Sequence, residues 1–198
     1  MSVLRDLVSG IGRALHPVRA GEGRLLRTRL RTSDFPWMNI SSPDFVQGGP
    51  MPQRCTADGD NVSPALSWGS IPATARELVL VCEDSDAPLP KPFVHWIVYR
   101  IPPTTTELPA GLPETWAVVE GAGMKPGMKQ GVNGKRRCAY DGPSPPIGHG
   151  VHHYHFQLFA LRKPLELANP PDRNELYSLL HDDIVAFGET IGTYERAR

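Results

Sequence analysis

The chain has 198 residues, of which 40% are hydrophobic and 21% are charged, so it can bury the core of one globular domain. Its formal net charge is zero, which argues against a nucleic-acid-binding protein, because such proteins need a basic surface to displace counterions. No apolar run approaches the roughly 20 residues that cross a bilayer, and the N-terminus lacks the pattern of a signal peptide. We therefore expect no integral membrane association and a cytoplasmic location.

The three cysteines, Cys55, Cys82 and Cys138, are an odd set without Cys-x-x-Cys spacing. Such a set indicates neither a disulfide framework nor a metal site, and we expect reduced thiols. The 21 prolines and 19 glycines favour many short strands joined by turns over a helical fold.

Residues 1–31 differ in pattern from the rest of the chain. Apolar residues recur at helical spacing over residues 3–15, Pro17 ends the pattern, and residues 19–31 are rich in arginine. One interpretation is a membrane-surface or partner helix; the other is a helix packed on the domain or on a second copy of the chain, followed by a solvated tail. The short helix and its mixed charges favour the second. We therefore divide the chain into an N-terminal helix with a basic extension, residues 1–31, and a domain, residues 32–198.

From residue 34 onward, short apolar runs alternate with clusters of Pro, Gly, Asn and Asp, which is typical of strands. The pattern predicts three strong strands, a helix and a last short strand, in this order: 78–82, 93–101, 151–161, 172–187 and 191–195. The first two runs are apolar on both faces, as expected for strands packed on two sides. Asp172 is the predicted cap of the helix, and Gly188 its predicted end.

Two predicted strands carry ionisable side chains beside the core. Strand alternation puts Asp84 on the face of Leu80 and Cys82, where a carboxylate needs a partner because an unpaired buried charge is strongly destabilising. His95 shares its face with Ile97 and is the candidate partner. A carboxylate that holds one ring N–H of a histidine leaves the other nitrogen free to face a ligand.

A loop rich in glycine and proline, residues 142–150, leads into a strand that is rich in histidine. The apolar continuation of that strand lies on the face of His152 and Tyr154, so these two are predicted to point inward, and His153 and His155 outward. Neighbouring residues of a strand point to opposite faces, so His152 and His153 cannot easily converge on one metal ion. We therefore predict neither a metal nor a cofactor.

An enzyme remains an alternative for the segment 149–155, either a metal-dependent or a serine hydrolase. Ser144, His152 and Asp84 are the residue types of a serine hydrolase, but Ser144 lies between prolines and not in a G-x-S-x-G elbow. We predict no catalytic residue and a binding protein. A homodimeric scaffold is the other alternative, with the N-terminal helix in the interface.

These segments resemble the phosphatidylethanolamine-binding protein family, and within it the bacterial Raf-kinase-inhibitor-like branch. The resemblance spans about Phe35 to Arg196 and rests on the order and spacing of several motifs. The matching segments are Ser63–Trp68, Asp84–Pro88, His95–Trp96, Gly142–Tyr154 and Gly192–Arg196. Ser85 replaces the proline that usually separates the two acidic residues of the second motif.

The resemblance implies a mainly β fold, a two-sheet antiparallel sandwich with a few peripheral helices. It also implies a small pocket for a phosphate-like or carboxylate anion, including a phosphoethanolamine headgroup, and a role in regulating kinases or proteases. The ligand-binding residues that it implies are Asp84, Pro88, His95, Gly142, His152 and Tyr154. The residues expected to support this site are Asp86, Trp96, Pro145 and Pro146.

In such a site Asp84 would orient His95, while imidazole N–H groups and the Tyr154 hydroxyl would donate hydrogen bonds to the anion. Asp86 would cap backbone N–H groups in the turn that follows the strand. Anion binding is then expected to strengthen as the pH falls and the histidines become protonated.

Overall fold

The computed structural model describes residues 10–116 and 127–196, and in this part of the chain it has nine strands and three helices. The strands are β1 (Ile40–Ser41), β2 (Gly49–Pro50), β3 (Leu66–Trp68), β4 (Glu77–Asp84), β5 (Phe93–Ile101), β6 (Glu107–Leu108), β7 (Lys129–Gln130), β8 (His152–Leu161) and β9 (Ile184–Tyr194). The helices are α1 (residues 10–15), α2 (Leu26–Arg29) and α3 (Arg173–Leu180). Short 3-10 helices form at Glu22–Arg24, Thr32–Asp34 and Gln53–Cys55.

The strands form two sheets, which confirms the predicted mainly β sandwich. The large sheet has six strands in the order β2-β9-β8-β4-β5-β7, and the small sheet has three in the order β1-β3-β6. Neighbouring strands are antiparallel except that β2 runs parallel to β9. The long central strands β4, β5 and β8 therefore bring the polar residues at their termini together at one end of the large sheet.

Both faces of the large sheet are buried. One face packs against the small sheet, where Leu80 and Phe156 share a core with Trp68. The other face packs against the helices, where Val81 shares a core with Leu26 and residues of α3. This double burial explains why β4 is apolar on both sides, as the sequence pattern predicted.

The arginine-rich segment 19–31 is not the solvated tail that the sequence suggested. Leu25 and Leu26 are fully buried and Leu30 is nearly so, and α2 packs on the large sheet. The spacing of these leucines was hidden among five arginines. Residues 1–9 of the predicted N-terminal helix lie outside the described residues, and the division of the chain at residue 31 stays a prediction.

The helix predicted over residues 172–187 is too long. Its start is right, since the Asp172 side chain accepts hydrogen bonds from two backbone N–H groups of the first turn. However, α3 ends at Leu180, residues 181–183 form a turn, and residues 184–187 belong to β9, which pairs along its length with β8. Gly188 lies in the middle of β9, where a Cβ atom would be 2.2 Å from the carbonyl oxygen of Met38. Close packing, rather than a helix end, requires glycine there.

Across residues 10–116 and 127–196, none of the helices has the length and the apolar content needed to span a membrane. All three cysteines are free thiols, and burial raises the pKa of Cys55 to about 11.

Candidate functional site

A cavity of about 250 Å³ lies at the end of the large sheet where the C-terminus of β4 meets the N-termini of β5 and β8. Six of the ten predicted site residues line it, namely Asp84, Pro88, His95, Pro145, Pro146 and His152. The Gly/Pro loop predicted from the sequence thus forms one wall. Phe93, Lys135, Asp141 and Ser144 also line the cavity, and of these the sequence had suggested only Ser144, as part of the hydrolase alternative.

Tyr154 and Gly142 lie next to this cavity without lining it. The Tyr154 ring packs edge-to-face against the imidazole of His95, with ring centroids 5.0 Å apart. The Gly142 N–H donates to the side-chain oxygen of Asn61 at 2.7 Å, so it is already engaged. Gly142 is required because a Cβ atom there would come within 2.7 Å of the carbonyl oxygen of Cys55.

His95 reaches the cavity because β5 contains a β-bulge. The pairing of β4 with β5 shifts by one residue after Cys82, and His95 is the extra residue on β5. The alternation that the sequence suggested, with His95 on the face of Ile97, is therefore wrong at this position. The bulge redirects the imidazole toward Tyr154 and the end of β4.

The hydrogen bond of His95 fixes the position of its proton. Its Nδ1 lies 2.5 Å from the backbone carbonyl oxygen of Asp141, and a carbonyl only accepts, so Nδ1 carries the proton. In the neutral ring Nε2 is therefore an acceptor, and it is buried without a hydrogen-bond partner. Burial lowers the pKa of His95 below its ordinary value of 6.5, and the nearby Asp84 carboxylate offsets only part of this effect.

The expected hydrogen bond between Asp84 and His95 is absent, because Asp84 is paired with His152 instead. Asp84 Oδ2 lies 2.7 Å from His152 Nδ1, and its other oxygen accepts the backbone N–H of Asp86 at 2.8 Å. In the β4–β8 pairing Asp84 lies opposite Tyr154, which makes His152 its diagonal neighbour on the same face.

His152 is part of a row of hydrogen bonds that runs from Asp84 to the carbonyl oxygen of Leu15. Its Nε2 lies 2.7 Å from His149 Nδ1, and His149 Nε2 lies 2.8 Å from the carbonyl oxygen of Leu15. Burial lowers the pKa of His149 below its ordinary value of 6.5. The row thus ties the end of β4 through two imidazoles to the N-terminal segment.

Leu15 and Arg19, from the N-terminal part of the chain, contact this end of the sheet. Arg19 forms an ion pair with Asp86 at 2.5 Å and donates to the carbonyl oxygens of His149 and Val151. Burial alone would raise the pKa of Asp86, but the donors of Arg19 and His153 hold it below its ordinary range. Asp86 also accepts the backbone N–H of His153 on β8, so it links the turn to the neighbouring strand, whereas the N–H group within the turn is capped by Asp84.

The charge around the cavity is mixed. Lys135 donates from Nζ to Asp141 Oδ1 at 2.8 Å, and its side chain is half exposed at the mouth. The second oxygen of Asp141 is buried without a hydrogen-bond partner. No sequence signal pointed to Lys135, since its neighbours are unremarkable basic residues of a loop. Asp141 could have been suspected, because it precedes the first glycine of the Gly/Pro loop.

A family model described as phosphatidylethanolamine-binding protein matches residues 41–195. The chain belongs to this family. The UPF0098 protein of Methanothermobacter thermautotrophicus is 37% identical over 159 residues, covering 80% of this chain and 99% of that protein. The crystal structure of Escherichia coli YbcL, described as a new member of the mammalian PEBP family, has a TM-score of 0.72 at 26% identity and covers 80% of this chain and 98% of that one.

A fungal protein named phomoidride biosynthesis cluster protein B is 29% identical over 201 residues, which cover 98% of this chain and 96% of that protein. Its match extends over nearly all of the chain, whereas the family model begins at residue 41. The contacts that Leu15 and Arg19 make at the cavity edge thus come from outside the region that the family model matches.

His155 was predicted to point outward, and Trp96 was predicted to support the site. The His155 side chain is buried instead of pointing outward. Its Nε2 lies 3.1 Å from Ser85 Oγ, and its Nδ1 lies 3.1 Å from Glu189 Oε1. The segment 19–31 covers that face of the sheet, which the sequence did not show. Trp96 is fully buried and donates from Nε1 to the Gln130 side chain at 2.7 Å, so it supports the fold next to the site.

The geometry of Ser144 bears on the hydrolase alternative. Ser144 and His152 line the same cavity, but both ring nitrogens of His152 are already hydrogen-bonded, to Asp84 and to His149. In this arrangement His152 has no free nitrogen to accept the proton of the Ser144 hydroxyl. In the described part of the chain, no group of three or more His, Cys, Asp or Glu side chains is arranged to hold a metal ion.

We expect the free energy of unfolding to fall as the pH drops below about 6.5, the ordinary pKa of histidine. His95 has a lowered pKa in the folded chain, so the unfolded chain takes up its proton first and is favoured by acid. The contribution is present above the unfolded pKa and is lost as the pH falls toward the folded one. Urea unfolding at a series of pH values checks this, and the His95→Gln variant should lose less stability over the same range. An equal loss in both proteins would contradict the assignment.

Proposed function

We propose that this chain is a binding protein that holds a small phosphate-like anion, free or as a headgroup, in the cavity at His95. The observation that carries the proposal is a set of buried polar atoms without hydrogen-bond partners. In the described residues five buried side-chain atoms lack a hydrogen-bond partner, and three of them lie in or beside this cavity, namely His95 Nε2 and Asp141 Oδ2 of two lining residues and the hydroxyl of the neighbouring Tyr154. Since buried polar groups are normally paired, a ligand is the natural source of the missing hydrogen bonds.

The donors available to an anion are few. Burial raises the pKa of Tyr154 well above its ordinary value of 10.0, so its hydroxyl stays protonated and can donate. Lys135 adds a positive charge at the mouth, but it is shared with Asp141. These features support weak and selective binding of an anion.

The proposal is tested by titrating the protein with inorganic phosphate while the imidazole signals are followed by NMR. We expect the His95 signals to shift in a saturable manner and the His95→Ala variant to lose about tenfold or more in affinity, because the imidazole forms one wall of the site. His181→Ala is the matched control, since His181 is exposed at the end of α3. If the His95 signals do not respond to phosphate, and acetate used as a carboxylate probe also leaves them unchanged, the anion-binding proposal is wrong.

The remaining parts of the proposal concern the protein's setting. A cytoplasmic location, regulation of a kinase or protease and a binding role without catalysis are proposed with it from the sequence and the family. The homodimeric scaffold stays an alternative to this proposal. Sedimentation equilibrium measures the oligomeric state. A hydrolase screen with the Ser144→Ala variant as control would detect serine-dependent turnover, which would replace the binding role by an enzymatic one.

A further inference from the structure

The unpartnered atoms at the cavity offer more acceptors than donors. His95 Nε2 is an acceptor because the carbonyl oxygen of Asp141 holds the proton on Nδ1. The free Asp141 oxygen belongs to a carboxylate in an ion pair with Lys135, so it accepts as well. Of these three atoms only the Tyr154 hydroxyl can donate, and it lies next to the cavity; the donors in the lining itself are the Ser144 hydroxyl and the Lys135 ammonium, which leave His95 Nε2 and the free Asp141 oxygen without a donor. A ligand that satisfies this set must itself bring at least one hydrogen-bond donor.

We propose that the cavity selects singly protonated phosphomonoesters, whose P–OH donates to His95 Nε2, over anions that carry no proton, such as sulfate and phosphodiesters. This inference rests on the proposed anion-binding function and names its ligand class. It also reverses the expectation from the sequence that the imidazoles would donate to the anion.

The surroundings of His95 favour this protonation state. The titratable or charged groups that face it are Asp84 from β4, Asp141 and Lys135 from the loops, and Tyr154 from β8. Asp84 is hydrogen-bonded to His152, and Lys135 forms an ion pair with Asp141, so neither group supplies a proton to His95 Nε2. A proton-free oxyanion would therefore place its lone pairs against two acceptors, which is unfavourable in a buried site.

The lipid that gives the family its name provides a contrast. The phosphate of phosphatidylethanolamine is a diester and has no P–OH, so its ammonium group would have to supply the donor. Because two carbons separate that ammonium group from the phosphate, the phosphate itself still presents only lone pairs to His95 Nε2. The inference therefore predicts that such a phosphodiester binds less tightly than a simple monoester. The same monoester group exists in free metabolites and in phosphatidic acid.

The test compares methyl phosphate, dimethyl phosphate, glycerophosphoethanolamine and sulfate by isothermal titration calorimetry on the full chain. At about pH 5.5 a phosphomonoester is largely a monoanion with a P–OH, because its second pKa is about 6. Dimethyl phosphate has the same charge but no proton. We expect methyl phosphate to bind about tenfold to a hundredfold more tightly than each of the other three.

The variant His95→Gln, whose amide can donate, should reduce this ratio toward one, and His181→Gln should preserve it. If His95→Gln does not fold, the comparison of ligands on the unaltered protein still decides. Equal binding of dimethyl phosphate or sulfate would overturn the inference but leave the anion site standing, since it would mean that His95 itself takes up a proton. Tighter binding of glycerophosphoethanolamine would also overturn it. If none of the four ligands binds, both the proposed function and the inference fail.

The source of the monoester is distinguished by a further arm. Sedimentation of the protein with phosphatidylcholine vesicles that contain phosphatidic acid, reversed by methyl phosphate, identifies a lipid source. Binding of methyl phosphate without sedimentation identifies a free ligand. Both results support the inference, because the recognised group is the same.

Discussion

Replacing Arg173 by methionine is expected to lower the free energy of unfolding by about 3–5 kcal/mol, because it removes the cation from a buried ion pair. Arg173 lies at the start of α3 and donates to the carboxylate of Glu83, which is fully buried in β4. Glu83 also accepts the backbone N–H of Leu26 at 2.7 Å and the Gln157 side chain at 2.8 Å. Without the guanidinium the fully buried carboxylate of Glu83 loses the cation that it is paired with. Urea unfolding measures the loss.

Two further variants separate the charge from the packing. Arg76→Met removes an exposed arginine and should change the free energy of unfolding by less than about 0.5 kcal/mol. The double variant Glu83→Gln with Arg173→Met keeps an oxygen acceptor without a charge, so it should recover much of the stability lost in Arg173→Met alone. A loss for Arg173→Met as small as that for Arg76→Met would show that Glu83 does not need its cation.

The sequence predicted the central strands well because their signal is local. The run that forms β5 was predicted with its observed bounds, Phe93–Ile101, and β8 began one residue later than expected. The error at the C-terminal end has a physical cause. Apolar residues at 184 and 187 happen to continue the spacing of α3, but pairing with β8 places them in a strand. Long-range pairing of this kind is invisible to a local periodicity.

The cavity was predictable in its composition but not in its hydrogen bonds. The motifs brought Asp84, His95 and His152 to one place, as the order of the segments suggested. The partner of Asp84 was wrong, because a single extra residue in β5 decides where the His95 ring points. Such a bulge has no clear mark in the sequence. The contribution of Arg19 was missed for another reason, since the buried leucines of its segment alternate with arginines. Leu15 lies in the predicted N-terminal helix, but a local pattern does not show where such a helix packs.

The arginine-rich segment is expected to be part of the folded core, and Leu26→Ala tests this. Leu26 is fully buried among residues of β4 and α3, so its truncation should leave a cavity and lower the free energy of unfolding by about 2–5 kcal/mol. The backbone N–H that binds Glu83 is retained in this variant, so the loss reports side-chain packing. Denaturant unfolding provides the measurement.

Leu179→Ala is the matched control, because Leu179 is also a leucine in a helix but is 37% exposed on α3. We expect its effect to be well under that of Leu26→Ala, since it leaves no enclosed cavity. Equal and small effects would show that residues 19–31 detach from the sheet in solution, and that the domain is stable without them. A large effect for Leu26→Ala alone would mean that the segment cannot be removed without unfolding the sheet it covers. Arg19 would then support the cavity from a part of the chain that is integral to the fold.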